Sequence, residues 1–256
     1  MRKFFRGTYL GLLLTFLYAP IVVMIILSFN ASKSRAKWGG FSLQWYDRLF
    51  SRADIMNVLY MTLLIALIAT AVATILGTLA AIGIHAMKSR NANMITSISY
   101  LPMTTPDIVT GVSLMLMFVF IKIPLGYGTM LLAHIAFDTP YVLFSVLPKL
   151  RQMNVNLYEA ALALGCTPLK AVRKVILPEI MPGGVTGALL AFTMSLDDFV
   201  ISYFTSNTDR NLSMIIYAAA RKGIEPTIYA LSTLMFLAVL VLLLIVNKRS
   251  SLENVS

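Results

Sequence analysis

Residues 55–86 read IMNVLYMTLLIALIATAVATILGTLAAIGIHA, without a single Asp, Glu, Lys or Arg. About 20 apolar residues in a helix cross the hydrocarbon core of a bilayer. This stretch exceeds that length, so tilt or protruding ends are expected. Within it Ala69, Ala73, Gly77 and Ala81 recur every four residues, a smooth stripe along which a second helix can approach closely. Working outward, Thr8–Phe29, Ile95–Ile121, Thr129–Leu147, Gly183–Phe204 and Thr227–Val246 are apolar stretches of similar kind, and Gly183 and Gly187 repeat the small-residue spacing. The pattern predicts an all-α integral membrane protein, a bundle of six transmembrane helices in which residues 1–256 form a single domain.

Composition supports a membrane chain. Hydrophobic residues make up 58% and charged residues 12%, against roughly 25% charged in soluble domains. Too few polar residues are present to coat a globule. The net charge of +10 does not indicate nucleic-acid binding, because the basic residues lie between apolar runs, where they meet lipid headgroups. Cys166 is the only cysteine, so neither an intrachain disulfide nor a cysteine-based metal site is expected. His85 and His134 are far apart in apolar context and are expected as hydrogen-bonded intramembrane histidines. No metal or other cofactor is expected on this chain.

The N-terminal Met-Arg-Lys-Phe-Phe-Arg resembles a signal peptide, but the apolar run after it is too long, and an uncleaved first span is expected. With a cytoplasmic N-terminus, twelve basic residues fall inside (Arg2, Lys3, Arg6, Lys88, Arg90, Lys149, Arg151, Lys170, Arg173, Lys174, Lys248, Arg249) and nine outside. The bias is small. The N-terminal triplet and the basic 148–182 loop set the expectation that both termini are cytoplasmic. Residues 30–54 are then external, with a turn at Gly39-Gly40 and a short amphipathic helix over Ser42–Phe50. There Trp38, Trp45 and Tyr46 suit anchoring at the headgroups.

Residues 148–182 form the longest polar stretch and read as two short helices. Asn156 is expected to cap the first, with Leu157, Ala160, Ala161 and Leu164 on an apolar side, Glu159 in its first turn and Gly165 as its stop. Thr167-Pro168 opens the second, and Pro178 is expected to end it. Such an element can dock in a partner's groove or lie flat on the membrane with its lysines on headgroups.

Glu159-Ala160-Ala161, Gly165 six residues after the glutamate, and Leu177-Pro178 resemble the EAA motif of permeases in bacterial ABC importers, with Val175 where that family usually has isoleucine. The resemblance implies the type I permease fold and a coupling helix seated on a cytoplasmic ATPase dimer. The chain has no G-x-x-x-x-G-K-[ST] phosphate loop, so ATP and Mg are expected on that partner and no enzymatic activity on this chain.

Asp107, Asp138, Asp197 and Asp198 fall inside apolar stretches that hold no Lys or Arg near them. An intramembrane carboxylate is costly and usually faces a bundle interior or a wet pathway. Asp107 can also cap a helix fragment after Pro106. Adjacent Asp197 and Asp198 cannot point the same way on a helix. Unpaired negative charge suggests a cationic substrate, or a cation from a second subunit.

Phe16-Leu17-Tyr18-Ala19-Pro20, Ser28-Phe29-Asn30, Trp45-Tyr46, Pro106-Asp107-Ile108-Val109 and Ser195-Leu196-Asp197-Asp198 resemble permeases of spermidine/putrescine importers. That resemblance implies polyamine contacts at Trp45, Asp107, Ser195 and Asp198, with Asp197 beside them, and no assigned role for Asp138. It further implies a second, usually different, permease subunit, an external polyamine-binding protein and residence in the bacterial inner membrane. An importer of another solute and an ion-coupled carrier remain as alternatives.

Overall fold

The computed structural model describes residues 2–253. The side chains of residues 1–6, 155, 242–243 and 245–256 lie outside the described set, and with them Arg2, Lys3, Arg6, Lys248 and Arg249 of the orientation argument. The regular structure of the described residues is helical, apart from one isolated antiparallel bridge between Asn30 and Phe41. In order the helices are α1 (Arg2–Ser28), α2 (Gln44–Ser51), α3 (Ala53–His85), α4 (Ser89–Thr104), α5 (Asp107–Phe120) and α6 (Tyr127–Gln152). There follow α7 (Val155–Ala163), α8 (Pro168–Ala171), a π-helical turn (Val172–Ile176), α9 (Leu177–Asp197), α10 (Val200–Thr205), α11 (Leu212–Lys222) and α12 (Pro226–Glu253).

Four helical runs among the described residues are long and apolar enough to cross a membrane: Gly7–Ser28, Ala53–His85, Tyr127–Gln152 and Pro168–Asp197. The expected third span, Ile95–Ile121, is not one continuous helix. It is broken between α4 and α5, whose axes differ by 104°. Pro106 forces the break, because it disfavours helical backbone at Thr105, which is extended with ψ 143°. The Pro102 carbonyl, which loses its helical donor because Pro106 has no N–H, is met locally by the Thr105 hydroxyl at 3.3 Å. The last expected span falls within α12, where Pro226–Val241 is a shorter apolar segment.

Two compact units make up the chain. Residues 1–57 and 216–256 form one, and residues 58–215 the other. In the first, α1 and α2 pack against α12, and α1 turns side chains such as Leu12 and Phe16 outward. The segment after α1 is organised by Asn30, 2% exposed. Its amide donates to Lys37 O (2.9 Å) and Ser34 O (3.3 Å), while its oxygen accepts from Gly39 N (2.8 Å) and Ser32 N (3.1 Å). Gly40, at φ +99°, lets the chain return to pair with Asn30.

In the second unit α6 is the central element. Gly77 of α3 comes so close that an added Cβ would lie 2.9 Å from Thr139 O and 2.7 Å from Val142 Cβ. On another side Gly183 and Gly187 of α9 meet Ser145 O and Val142 Cα in the same way, at 2.8 and 2.9 Å. Both small-residue stripes therefore serve close helix approach. Ala73, Ala81 and Ile84 of α3 join Val142, Val146 and Leu150 of α6 and Ile180 and Ala191 of α9 in one buried cluster.

Two local expectations are corrected. Asn154, not Asn156, caps α7, its side chain accepting from Asn156 N at 3.0 Å. Pro178 does not end a helix. The π turn lets Leu177 N–H reach back five residues to Val172 O, and α9 runs on past a proline at its start, where no donor is required.

Candidate functional site

Two places in the chain carry the residues singled out from sequence. The first is the 148–182 segment. Its α7 ends in a Schellman turn: Gly165 N–H donates to Leu162 O at 2.9 Å and Cys166 N–H to Ala161 O at 3.0 Å. Gly165 sits at φ +85° with open space where a Cβ would stand. Ala161 is 8% exposed and Tyr158 packs on the buried cluster of the second unit. On the other side Glu159 and Ala160 are exposed, as are Leu157, Leu164 and Leu169, the last two at 86% and 80%. The element is thus tied down by one side and presents leucines on the other. Leu177 and Pro178, at the start of α9, are also exposed.

The second place is the join between α9 and α10. The expected fifth span, Gly183–Phe204, is interrupted where Asp198 leaves helical geometry at ψ 119°. Asp198 then turns inward and closes the first turn of α10. One carboxylate oxygen accepts from Ile201 N (3.1 Å), and the other from Ser202 N and Ser202 Oγ (both 2.8 Å). Asp197, its neighbour, is exposed. The two adjacent acids do point apart, because the helix ends between them.

His134 of α6 is the partner that ties this join to the rest of the unit. Its Nδ1 is 2.5 Å from Ser195 Oγ and its Nε2 2.8 Å from Ser202 Oγ, with Asp198 at 3.4 Å. Ser202 settles the proton. Its single hydroxyl hydrogen goes to Asp198, and Asn211 Nδ2 donates to its oxygen at 2.8 Å. Nε2 must therefore be the donor toward Ser202, and in the neutral ring Nδ1 accepts from Ser195. Asn211 also donates to Asp198 O (2.7 Å) and accepts from Met214 N (2.9 Å), holding the start of α11. His134 was expected as a hydrogen-bonded histidine. Ser202 and Asn211 carried no sequence signal, because their roles depend on a contact between helices far apart in the chain.

Ser195 and Asp198 are thus brought together, 2% and 7% exposed, and both are engaged inside the chain. Asp107 is not engaged. It opens α5 and is exposed, and its carboxylate makes no hydrogen bond among the described residues. It lies in electrostatic range of the half-buried Tyr141, as does Asp138. The break that exposes Asp107 is held against α10, where Gly111 would place a Cβ 3.3 Å from Ile201 Cα.

Trp45 belongs to the other unit. It is 3% exposed and its indole N–H donates to Asn30 O at 2.6 Å, so it is an internal strut rather than a headgroup anchor. The Arg48 guanidinium stands 4.8 Å from its ring centroid, in the position a cation would take over the ring. Trp45 also lines a cavity of about 550 Å³ with Lys33, Asp47, Arg48, Arg52 and Glu225. No group of metal-ligating side chains occurs among the described residues.

Comparison with known proteins agrees with this architecture. The spermidine/putrescine transport system permease protein PotC of Haemophilus influenzae is 35% identical over 254 residues, covering 98% of this chain and 99% of that protein. The putrescine transport system permease protein PotI of Escherichia coli is 40% identical over 233 residues, 88% of this chain and 83% of that protein. A bacterial ABC transporter that imports the polysaccharide alginate shares the fold, with a TM-score of 0.71 at 17% identity over 98% of this chain and 96% of that one. Residues 73–248 match the family described as the inner membrane component of binding-protein-dependent transport systems, and this chain belongs to that family.

Proposed function

We propose that the chain forms half of a polyamine pathway in an ATP-driven importer of spermidine or putrescine. The carrying observation is Asp107, a carboxylate exposed at the break of a bent apolar helix with no hydrogen bond of its own. Likeness over nearly the full chain to permeases named for spermidine and putrescine supports the same substrate class. Polyamines are polycations with methylene spacers. Carboxylates hold their ammonium groups, and apolar helix faces accept the spacers.

In this function a second permease, different or identical, supplies the other half of the pathway. An external binding protein delivers the substrate. The leucines of α7 and α8, with Glu159, Ala160 and Gly165, seat on a cytoplasmic ATPase dimer, where ATP and Mg are bound, while buried Ala161 holds α7 to its own unit. Leu177 and Pro178 carry the displacement into α9. Closure of the ATPase pair moves this loop and exchanges outward for inward access. Asp197 joins Asp107 on the pathway. Asp198 and Ser195 reach it when the α9–α10 join rearranges.

Asp107→Asn keeps shape and removes charge. Loss of a charge-assisted contact costs about 1.5–3 kcal/mol, or roughly a 10- to 150-fold fall in uptake. Polyamine uptake into vesicles holding the whole importer should fall by that factor while assembly persists. Uptake at the wild-type rate would make Asp107 structural.

Both termini are proposed to be cytoplasmic. A cysteine at Ser34 should then react with an impermeant maleimide added to intact cells, while one at Ser251 stays protected. The reverse pattern inverts the topology.

A further inference from the structure

Asp138 lies within α6, one turn beyond His134, and is 0% exposed in the isolated chain. Neither of its carboxylate oxygens has a hydrogen-bond donor among the described residues. The contrast with Asp198 is sharp: there three donors converge on the carboxylate, Ile201 N, Ser202 N and Ser202 Oγ. Because the chain alone encloses Asp138, a partner subunit cannot reach it without displacing helices.

Among the described residues its surroundings offer no counter-charge. On α6 itself the titratable neighbours are His134, already committed to Ser195 and Ser202, and Tyr141. From the end of α9 comes Asp198, in electrostatic range and negative. From α5, Asp107 shares Tyr141 with it. The part of α3 that packs on α6 bears no titratable group, and its Thr70 and Thr74 hydroxyls also lack partners. A bare carboxylate enclosed in this way, with the Asp198 carboxylate in electrostatic range, is strongly disfavoured as an anion. The site calls for a positive ligand.

We propose that Asp138 is a cation-exchange site inside the membrane domain, holding a proton in this closed arrangement and trading it for a substrate ammonium when the pathway opens. The exchange balances. The carboxyl O–H bond breaks, the proton leaves to water, and an ammonium N–H···O contact takes its place, so the enclosed charge does not change. Tyr141 marks the route, since it is half-buried and is the side chain common to exposed Asp107 and enclosed Asp138. Its ring packs edge-on against Phe137 at 5.3 Å. The proton arm of this proposal stands by itself, while the exchange arm rests on the polyamine function above.

The test is infrared difference spectroscopy on the reconstituted importer. Without substrate, a carboxylic C=O band should be present at neutral pH, absent in Asp138→Asn and shifted in frequency in Asp138→Glu, which keeps the acid if the amide variant fails to assemble. A spectrum in which neither variant alters that band overturns the proton site. On adding putrescine, the wild-type band should diminish, with release of one proton more than from Asp138→Asn. Equal proton release from both, with putrescine bound, overturns the exchange. Absence of putrescine binding to the wild-type importer defeats the polyamine function and the exchange with it, while the substrate-free band still decides the proton.

Discussion

Gly165→Pro should abolish ATP-driven uptake while leaving the chain in the membrane. Proline holds φ near −65°, and Gly165 stands at +85°. The substitution also deletes the N–H that donates to Leu162 O. Together these disfavour the native end of α7 by about 3 kcal/mol, roughly a 150-fold depletion of loops shaped for docking. No transmembrane helix contains the residue, so insertion and the packing of α3, α6 and α9 should persist. Gly165→Ala grades the effect: no atom obstructs the new methyl, and only the left-handed backbone opposes it, at about 1–2 kcal/mol. Uptake should fall in the order wild type, Ala, Pro, with the ATPase progressively lost from the purified complex. Equal uptake and ATPase retention in all three would remove the coupling role of this turn.

Asp198→Asn is expected to lower the stability of the folded chain, and therefore uptake, by more than Asp107→Asn. As the Asp198 carboxylate accepts on both oxygens, an amide must turn its NH2 toward Ile201 N–H or toward Ser202. A buried donor left facing a donor costs about 1–3 kcal/mol. This substitution therefore does not isolate charge from packing, and the exposed Asp107 is the site that does. Melting of the detergent-solubilised complex separates them: Asp198→Asn should melt earlier, and Asp107→Asn with the wild type. An Asp198→Asn complex with wild-type melting would show that the α9–α10 join does not depend on this network. His134→Leu should resemble Asp198→Asn, since it leaves Ser195 and Ser202 without their shared partner.

Much of this was legible in the amino-acid sequence. Residues 55–86 demand a membrane because they carry no Asp, Glu, Lys or Arg and too few polar side chains to coat a helix in water, and the spacing of Ala69, Ala73, Gly77 and Ala81 demands a close neighbour. Gly165 stops α7 because only glycine takes its backbone without strain. These are local properties, set by composition, period and single-residue conformation. Sequence also marked Asp107, as an acid inside an apolar stretch, and the helix break before it follows from Pro106. The tertiary structure decided what depends on meeting. It chose α6 as the helix that both glycine stripes approach, and it carried α9 past Pro178 by a π turn. It engaged Asp198 and left Asp107 open. Trp45 became a strut because Asn30 O waits 2.6 Å from its indole nitrogen. Asp138 and Asp198 look alike in sequence, each an acid in an apolar run. Donors from Ile201 and Ser202 reach one and no donor among the described residues reaches the other, and that difference exists only once the helices are packed.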